Sequence, residues 1–131
     1  MSAAAHPISI LVIDDDPTSL ELAVEVLGLD GYAVRTAPTA ERGLALIALE
    51  RPALILMDLH FATGTSGLEA TRHLKADPAT AAIPIVALTA LVQRQAEHAA
   101  RDAGFAAYLT KPLDVTALRE TVRRFVNAAP A

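Results

Sequence analysis

Acidic residues stand at the ends of two apolar stretches in this sequence. Asp14, Asp15 and Asp16 follow the run ILVI, and Asp58 follows the run LILM. If a fold brought such carboxylates together, each would raise the pKa of the others unless a cation neutralised them. Oxygen ligands favour Mg²⁺, and a carboxylate beside that ion can attack phosphorus to form an aspartyl phosphate. The first hypothesis is therefore metal-assisted phosphoryl chemistry, with Asp16 more simply explained as a helix cap.

Two further polar residues end later apolar stretches. Thr89 follows the run IVAL, and Lys111 follows YLT. A lysine can supply positive charge to a phosphoryl group, and a threonine hydroxyl can donate a hydrogen bond to a phosphoryl oxygen. Either residue alone would be an ordinary strand threonine or a solvated lysine. Their occurrence together with the acidic residues favours a shared site.

The sequence also predicts the elements that would position these residues. Five apolar stretches alternate with longer segments of helical period, which is the pattern of βαβ units and a parallel sheet. The predicted strands are 8–14, 32–36, 53–58, 83–89 and 105–110. The first and third contain the continuously apolar runs ILVI and LILM, as central strands covered on both faces must. Because open parallel sheets bind ligands outside the carboxyl ends of their strands, we expect the polar residues to converge on one crevice.

Helix-start signals precede three of the segments between the strands. These signals are Asp16 with Pro17, Ser66 with Glu69, and Asp114. Two more helices are predicted at 40–49 and 91–103. The second has mostly alanine and a narrow apolar stripe, so tertiary contacts must hold it. The order of elements predicts a single α/β domain of the (βα)5 type.

Composition limits the class of protein. The chain of 131 residues fits one domain, and it has no cysteine, which suits a reducing compartment and leaves only oxygen and nitrogen as metal ligands. No apolar run approaches the roughly 20 residues that span a bilayer, so we expect a cytoplasmic protein without membrane contact. A formal charge of -4 disfavours direct binding to nucleic acid.

Five segments resemble the receiver domain of two-component response regulators: ILVIDDDP, LILMDLH, GLEATRHLK, IPIVALTA and YLTKP. They occur in the family's order, and the resemblance covers residues 8–127. Single-domain, stand-alone receivers are the most similar type. The resemblance implies a flavodoxin-like, doubly wound α/β fold with a five-stranded parallel sheet in the order 2-1-3-4-5. Residues 1–7 and 128–131 are then expected to be terminal tails.

The resemblance also implies roles for individual residues. Asp58 would be the phosphoacceptor, and Mg²⁺ would be held by Asp15 directly, by Asp14 through water, by Asp58 and by the main-chain carbonyl of His60. The phosphoryl group would contact Thr89, Ala90 and Lys111, and the switch residues would be Thr89 and Tyr108. The alternative for Tyr108 is a static, partly buried aromatic with a hydrated hydroxyl. Pro112 resembles the family's cis-proline, which turns the lysine into the crevice.

The segment after Asp58 departs from the family pattern. The family usually has a Met-Pro pair there, where this chain has Phe61 and Ala62, and Gly67 arrives one residue late. The loop is therefore longer by one residue and lacks a stiffening proline. This departure bears most on the expected contact of the His60 carbonyl with the metal.

By this resemblance the chain accepts a phosphoryl group from a histidine kinase or a histidine phosphotransfer protein. It then changes its contacts with a downstream effector protein, or with a second copy of itself in a homodimer. Such a domain is no enzyme beyond its own phosphorylation and dephosphorylation. Two alternatives are an aspartyl-phosphate phosphatase or hydrolase, and a binding module of this fold that works without phosphorylation. Enzymes of the first kind usually have a second Asp two residues after the nucleophile, where His60 stands here.

Overall fold

The computed structural model describes residues 7–90, 98 and 101–128 of the chain. Five parallel strands form one sheet in the order β2-β1-β3-β4-β5. The strands are β1 (Ser9–Ile13), β2 (Ala33–Ala37), β3 (Leu54–Asp58), β4 (Ile85–Thr89) and β5 (Ala107–Thr110). The predicted α/β class, the number of strands and their order are all confirmed.

Helices connect the strands and cover both faces of the sheet. They are α1 (Pro17–Leu29), α2 (Ala40–Leu49), α3 (Gly67–Ala76) and the last helix, named α4 here (Val115–Ala128). The predicted helix 91–103 lies mostly outside the described residues, although residues 98 and 101–103 are helical. No helix in the described part of the chain is long and apolar enough to cross a membrane.

Two hydrophobic cores lie on opposite faces of the sheet. One contains Ile13 and Met57 beneath α2 and α3, and the other contains Val12 and Leu56 beneath α1 and α4. Successive strand residues point to opposite faces, so a strand buried on both sides must be apolar at every position. All five residues of β3 and the last four of β1 are buried. The continuous apolar runs thus correctly predicted the central strands.

The predicted helix starts are present as hydrogen-bonded caps. An Asp16 carboxylate oxygen accepts the Thr18 N–H at 3.1 Å, the Ser66 hydroxyl accepts the Glu69 N–H at 3.1 Å, and Asp114 accepts the Ala117 N–H at 2.8 Å. Each cap satisfies a backbone donor that has no partner inside its helix. The caps fix where α1, α3 and α4 begin, immediately after the loops at the carboxyl edge of the sheet.

Pairing between the strands aligns their carboxyl ends. Ile13 pairs with Met57, so Asp14 and Asp58 are the next residues on two adjacent strands. Asp58 in turn pairs with Leu88, which brings Thr89 to the end of the following strand. The sheet therefore gathers these polar positions at one edge, as the predicted topology requires.

Candidate functional site

Three carboxylates form a cluster at the carboxyl edge of the sheet. Asp14, Asp15 and Asp58 each offer one oxygen, and these oxygens all lie within 4.8 Å of one another. Asp14 is fully buried, Asp58 is 5% exposed, and Asp15 is exposed. The predicted convergence of the acidic residues is present in the structure, with the opening to solvent on the side of Asp15.

Lys111 lies beside the two buried carboxylates. Its Nζ is 2.8 Å from Asp14 Oδ2 and 3.5 Å from Asp58 Oδ2. The residue directly follows β5, where its own N–H donates to the Thr89 carbonyl at 2.8 Å, and the Lys111–Pro112 peptide is cis as expected. Burial by itself would lower the pKa of the ammonium. The hydrogen bond and charge of Asp14, with the charge of Asp58, outweigh burial and raise the pKa of Lys111.

The pKa of Asp58 is raised from 3.8 to about 6. Burial is the largest cause, and the negative charge of Asp14 adds to it. The Lys111 charge and the His60 N–H act in the opposite direction, but they do not cancel these two effects. One ammonium therefore does not neutralise the cluster, and a further cation would be bound favourably.

Main-chain donors hold one oxygen of each carboxylate. The three hydrogen bonds are from Asp16 N–H to Asp14 Oδ1 at 2.9 Å, from His60 N–H to Asp58 Oδ1 at 3.3 Å, and from Ala62 N–H to Asp15 Oδ2 at 3.2 Å. These contacts orient the carboxylates and leave other oxygens facing the cluster. Such a set of oxygen donors fits a hard divalent cation such as Mg²⁺. Asp16, which also caps α1, is held outside the cluster as predicted.

The remaining predicted residues lie in or just after strands β3, β4 and β5. Thr89 is 1% exposed at the end of β4, and Ala90 after it is exposed. Tyr108 is half-buried in β5, packs against the core beneath α2 and α3, and lines an open groove of 380 Å³ beside Pro112. The His60 side chain is exposed. The roles expected for these four residues stay predictions.

A close backbone approach at Gly67 escaped the sequence analysis. A Cβ added at this position would overlap the carbonyl of Asp58, and the Gly67 N–H donates to the Leu59 carbonyl at 3.1 Å. The only sequence signal was a glycine at the first position of a helix, which is uncommon enough to suggest close packing. Its contact brings the two ends of the longer loop together next to the acidic cluster.

Glu41 is a second residue that the sequence analysis missed. It lies in the first turn of α2, and its carboxylate accepts the Thr65 N–H at 2.8 Å across 24 positions of sequence. An acidic residue in a first helical turn is common for reasons of helix electrostatics alone. Nothing in the sequence therefore distinguished this glutamate from an ordinary surface residue.

Comparison with known proteins relates the chain to one family. The family profile described as response regulator receiver domain matches residues 10–123. The polar-differentiation response regulator DivK of Brucella anthropi is 32% identical over 123 residues, which are 94% of this chain and 99% of DivK. Protein PilH of Pseudomonas aeruginosa is 35% identical over 122 residues, 93% of this chain and 97% of PilH. A CheY-like response regulator receiver domain protein from Methanospirillum hungatei has a TM-score of 0.83 at 26% identity, covering 93% and 95% of the two chains.

Proposed function

We propose that Asp58 is the phosphoacceptor of this chain, which belongs to the family of response regulator receiver domains. Receiver domains are signalling modules of two-component systems, and this chain is one of them. The individual roles of its residues rest on the geometry at the carboxyl edge of the sheet. The observation that carries the proposal is that the Asp58 carboxylate meets two other carboxylates within 4.8 Å and the Lys111 ammonium at 3.5 Å.

The Asp58 carboxylate has the ionisation state that a nucleophile needs. Its pKa of about 6 leaves it largely ionised at neutral pH, so a lone pair is available to attack phosphorus. Ionisation nevertheless puts a further negative charge in the cluster, beside Asp14. Conversion to an acyl phosphate leaves at least as much negative charge at this position, so a bound cation and the Lys111 ammonium would have to offset the same crowding that raises the pKa.

The transfer is a displacement at phosphorus. An Asp58 oxygen forms the new bond to phosphorus while the bond to the donor's imidazole nitrogen breaks, and that nitrogen leaves with the electron pair. Asp15, Asp58, the His60 carbonyl and, through water, Asp14 would hold Mg²⁺, whose positive charge would offset the repulsion between carboxylate and phosphoryl oxygens. Lys111, now paired with Asp14 at 2.8 Å, exchanges part of that contact for a phosphoryl oxygen.

Thr89, Ala90 and Tyr108 convert the modification into a change of surface. The Thr89 hydroxyl donates to a phosphoryl oxygen, and the small side chain of Ala90 leaves room for that group. Inward movement of Thr89 opens space into which Tyr108 turns. Coupling of this kind is typically about 1 to 3 kcal/mol, enough to bias an existing equilibrium between two conformations.

The phosphoryl donor is a histidine kinase or a histidine phosphotransfer protein, and the output is an altered contact with a downstream effector protein or a second copy of the chain. The domain's own chemistry is limited to its phosphorylation and dephosphorylation. With these partners, the protein would act in the cytoplasm and would not itself bind nucleic acid.

A small phosphodonor tests the proposal without a partner protein. Incubation with acetyl phosphate and Mg²⁺ should add one phosphoryl group, detected by intact mass, and a chelator should prevent the addition. Asp58→Asn should abolish labelling because the nucleophile is gone, and Asp15→Ala should abolish it because a metal ligand is gone. Exposed Asp102 provides the matched control, and Asp102→Asn should be labelled as the wild type is.

Two other results would contradict the proposal. Continuous release of phosphate in large excess over protein, without a lasting adduct, would point to a hydrolase. Absence of both adduct and turnover in wild-type protein would point to a binding module that works without phosphorylation.

A further inference from the structure

The loop of residues 59–66 carries two of the three main-chain donors that orient the acidic site. His60 donates to Asp58 at 3.3 Å, and Ala62 donates to Asp15 at 3.2 Å. The ends of the loop are fixed, since the Leu59 N–H donates to the Leu88 carbonyl at 3.0 Å and Gly67 packs against the Asp58 carbonyl. Between these ends the loop contains no proline. Contacts from outside the loop restrict its conformations, and Asp15 provides one of them through the Ala62 N–H.

Glu41 supplies such a contact from a helix whose position is fixed by the core. Ala40, the preceding residue, is fully buried, and Ile47 in the same helix is 2% exposed. The Glu41 carboxylate accepts the Thr65 N–H at 2.8 Å. The loop backbone passes directly over this carboxylate, because a Cβ added at Gly64 would lie 2.9 Å from Glu41 Oε2.

The backbone at Gly64 suits this close approach. Its φ is +79°, a conformation that favours glycine and directs the chain around the carboxylate. The N–H and hydroxyl of Thr65 lower the pKa of Glu41, so the carboxylate stays ionised to a lower pH than an ordinary glutamate does. An ionised acceptor makes a stronger hydrogen bond to a backbone N–H than a neutral one does.

We propose that Glu41 is a positioning residue for the phosphorylation site: it holds the loop 59–66 so that the His60 and Ala62 main chain stays over the acidic cluster. The inference rests on the proposed function of that cluster. Within the described part of the chain no hydrogen bond joins Glu41 to Asp58 or Asp15, and it acts through Thr65. Its contact provides from α2 the restraint that a proline would otherwise provide within the loop.

The test compares Glu41→Ala, Glu41→Gln and the control Glu25→Ala, which removes an exposed glutamate from α1. In metal-free protein, amide exchange at His60, Ala62 and Thr65 should be about two- to fivefold faster in Glu41→Ala, as expected for the loss of one modest hydrogen bond. The dissociation constant for Mg²⁺, from an NMR titration, should rise by a similar factor. The glutamine variant keeps an acceptor oxygen and should lie between alanine and wild type, and the control should match wild type.

Several results would overturn the inference. Wild-type exchange at His60 and Ala62 in Glu41→Ala would show that the loop is held without Glu41. Unchanged Mg²⁺ affinity would show that holding the loop has no consequence for the site. Equal effects of alanine and glutamine would mean that charge, and not the hydrogen bond, is what matters.

Labelling by acetyl phosphate separates this inference from the proposed function. If wild type is labelled but Glu41→Ala behaves like wild type in exchange and Mg²⁺ binding, the inference alone fails. If Glu41→Ala differs as expected in both measurements but wild type is never labelled, the proposed function alone fails.

Discussion

Replacing Asp58 by asparagine should make the metal-free protein more stable at neutral pH. The pKa of this carboxyl is raised from 3.8 to about 6, mainly by burial and then by the charge of Asp14. A displacement of about two pKa units corresponds to about 3 kcal/mol by which folding disfavours the ionised carboxylate. Asparagine has nearly the same shape, carries no charge, and keeps an oxygen that can accept the His60 N–H. We expect a gain of about 2 to 3 kcal/mol in the free energy of unfolding above pH 7.

The pH dependence of the gain follows from the direction of the pKa shift. Between pH 3.8 and about 6 the folded protein binds more protons at Asp58 than the unfolded chain does. Stability of the wild type therefore falls as the pH rises through this window, and the favourable contribution is complete only below it. Asparagine does not titrate, so the variant lacks this decline. The difference in free energy of unfolding between the variant and the wild type should be small near pH 3.8 and reach its full size above about pH 6.

Urea unfolding followed by far-ultraviolet circular dichroism, in chelator, measures the effect at pH 4, 6 and 7.5. Asp102→Asn is the control for removal of an exposed carboxylate. Excess Mg²⁺ should reduce the gain, because the ion stabilises the wild-type cluster more than the variant cluster. A gain of the same size at pH 4 and pH 7.5, or a loss of stability at neutral pH, would refute the electrostatic reasoning.

Three further predictions concern other parts of the molecule. Gly67→Ala should destabilise the fold by about 2 kcal/mol, because the added Cβ would overlap the Asp58 carbonyl. Gly28→Ala should stabilise α1 by about 0.5 to 1 kcal/mol, because an added Cβ there would have nothing within 4 Å. Urea unfolding tests both variants. Thr71→Val should add about 1 kcal/mol in the same assay, since the buried hydroxyl has no hydrogen-bond partner among the described residues. Thr89→Ala should still be labelled by acetyl phosphate, but labelling should no longer change amide exchange in β5; an undiminished change would contradict its switch role.

The strands were predictable because burial on both faces leaves a clear signature, yet the starts of the fourth and fifth strands were not. The prediction began strand four at Ile83 and strand five at Phe105, while pairing begins at Ile85 and Ala107. Ile83 and Phe105 are buried in the core before the hydrogen-bonded ladder starts. An apolar run therefore reports burial, and it does not report the extent of pairing between strands.

The acidic cluster was predictable because topology alone brings strand ends together. The register that aligns Asp14 with Asp58 follows from a parallel sheet with these strands adjacent. The contact between Glu41 and Thr65 has no such origin, since it depends on the path of an irregular loop. Local sequence carries little information about a hydrogen bond between two exposed segments that are distant in the chain.

The separation of the two hydrophobic cores by a single layer of backbone has a consequence for evolution. Leu56 and Met57 are neighbours in β3, yet one packs beneath α1 and α4 and the other beneath α2 and α3. Substitutions on opposite faces share few partners, so their effects on stability should largely add. Residues of one helical layer can therefore change and form new binding surfaces while the other layer keeps the packing that holds the sheet in register. A single scaffold could diversify in what it recognises without relocating its carboxylates.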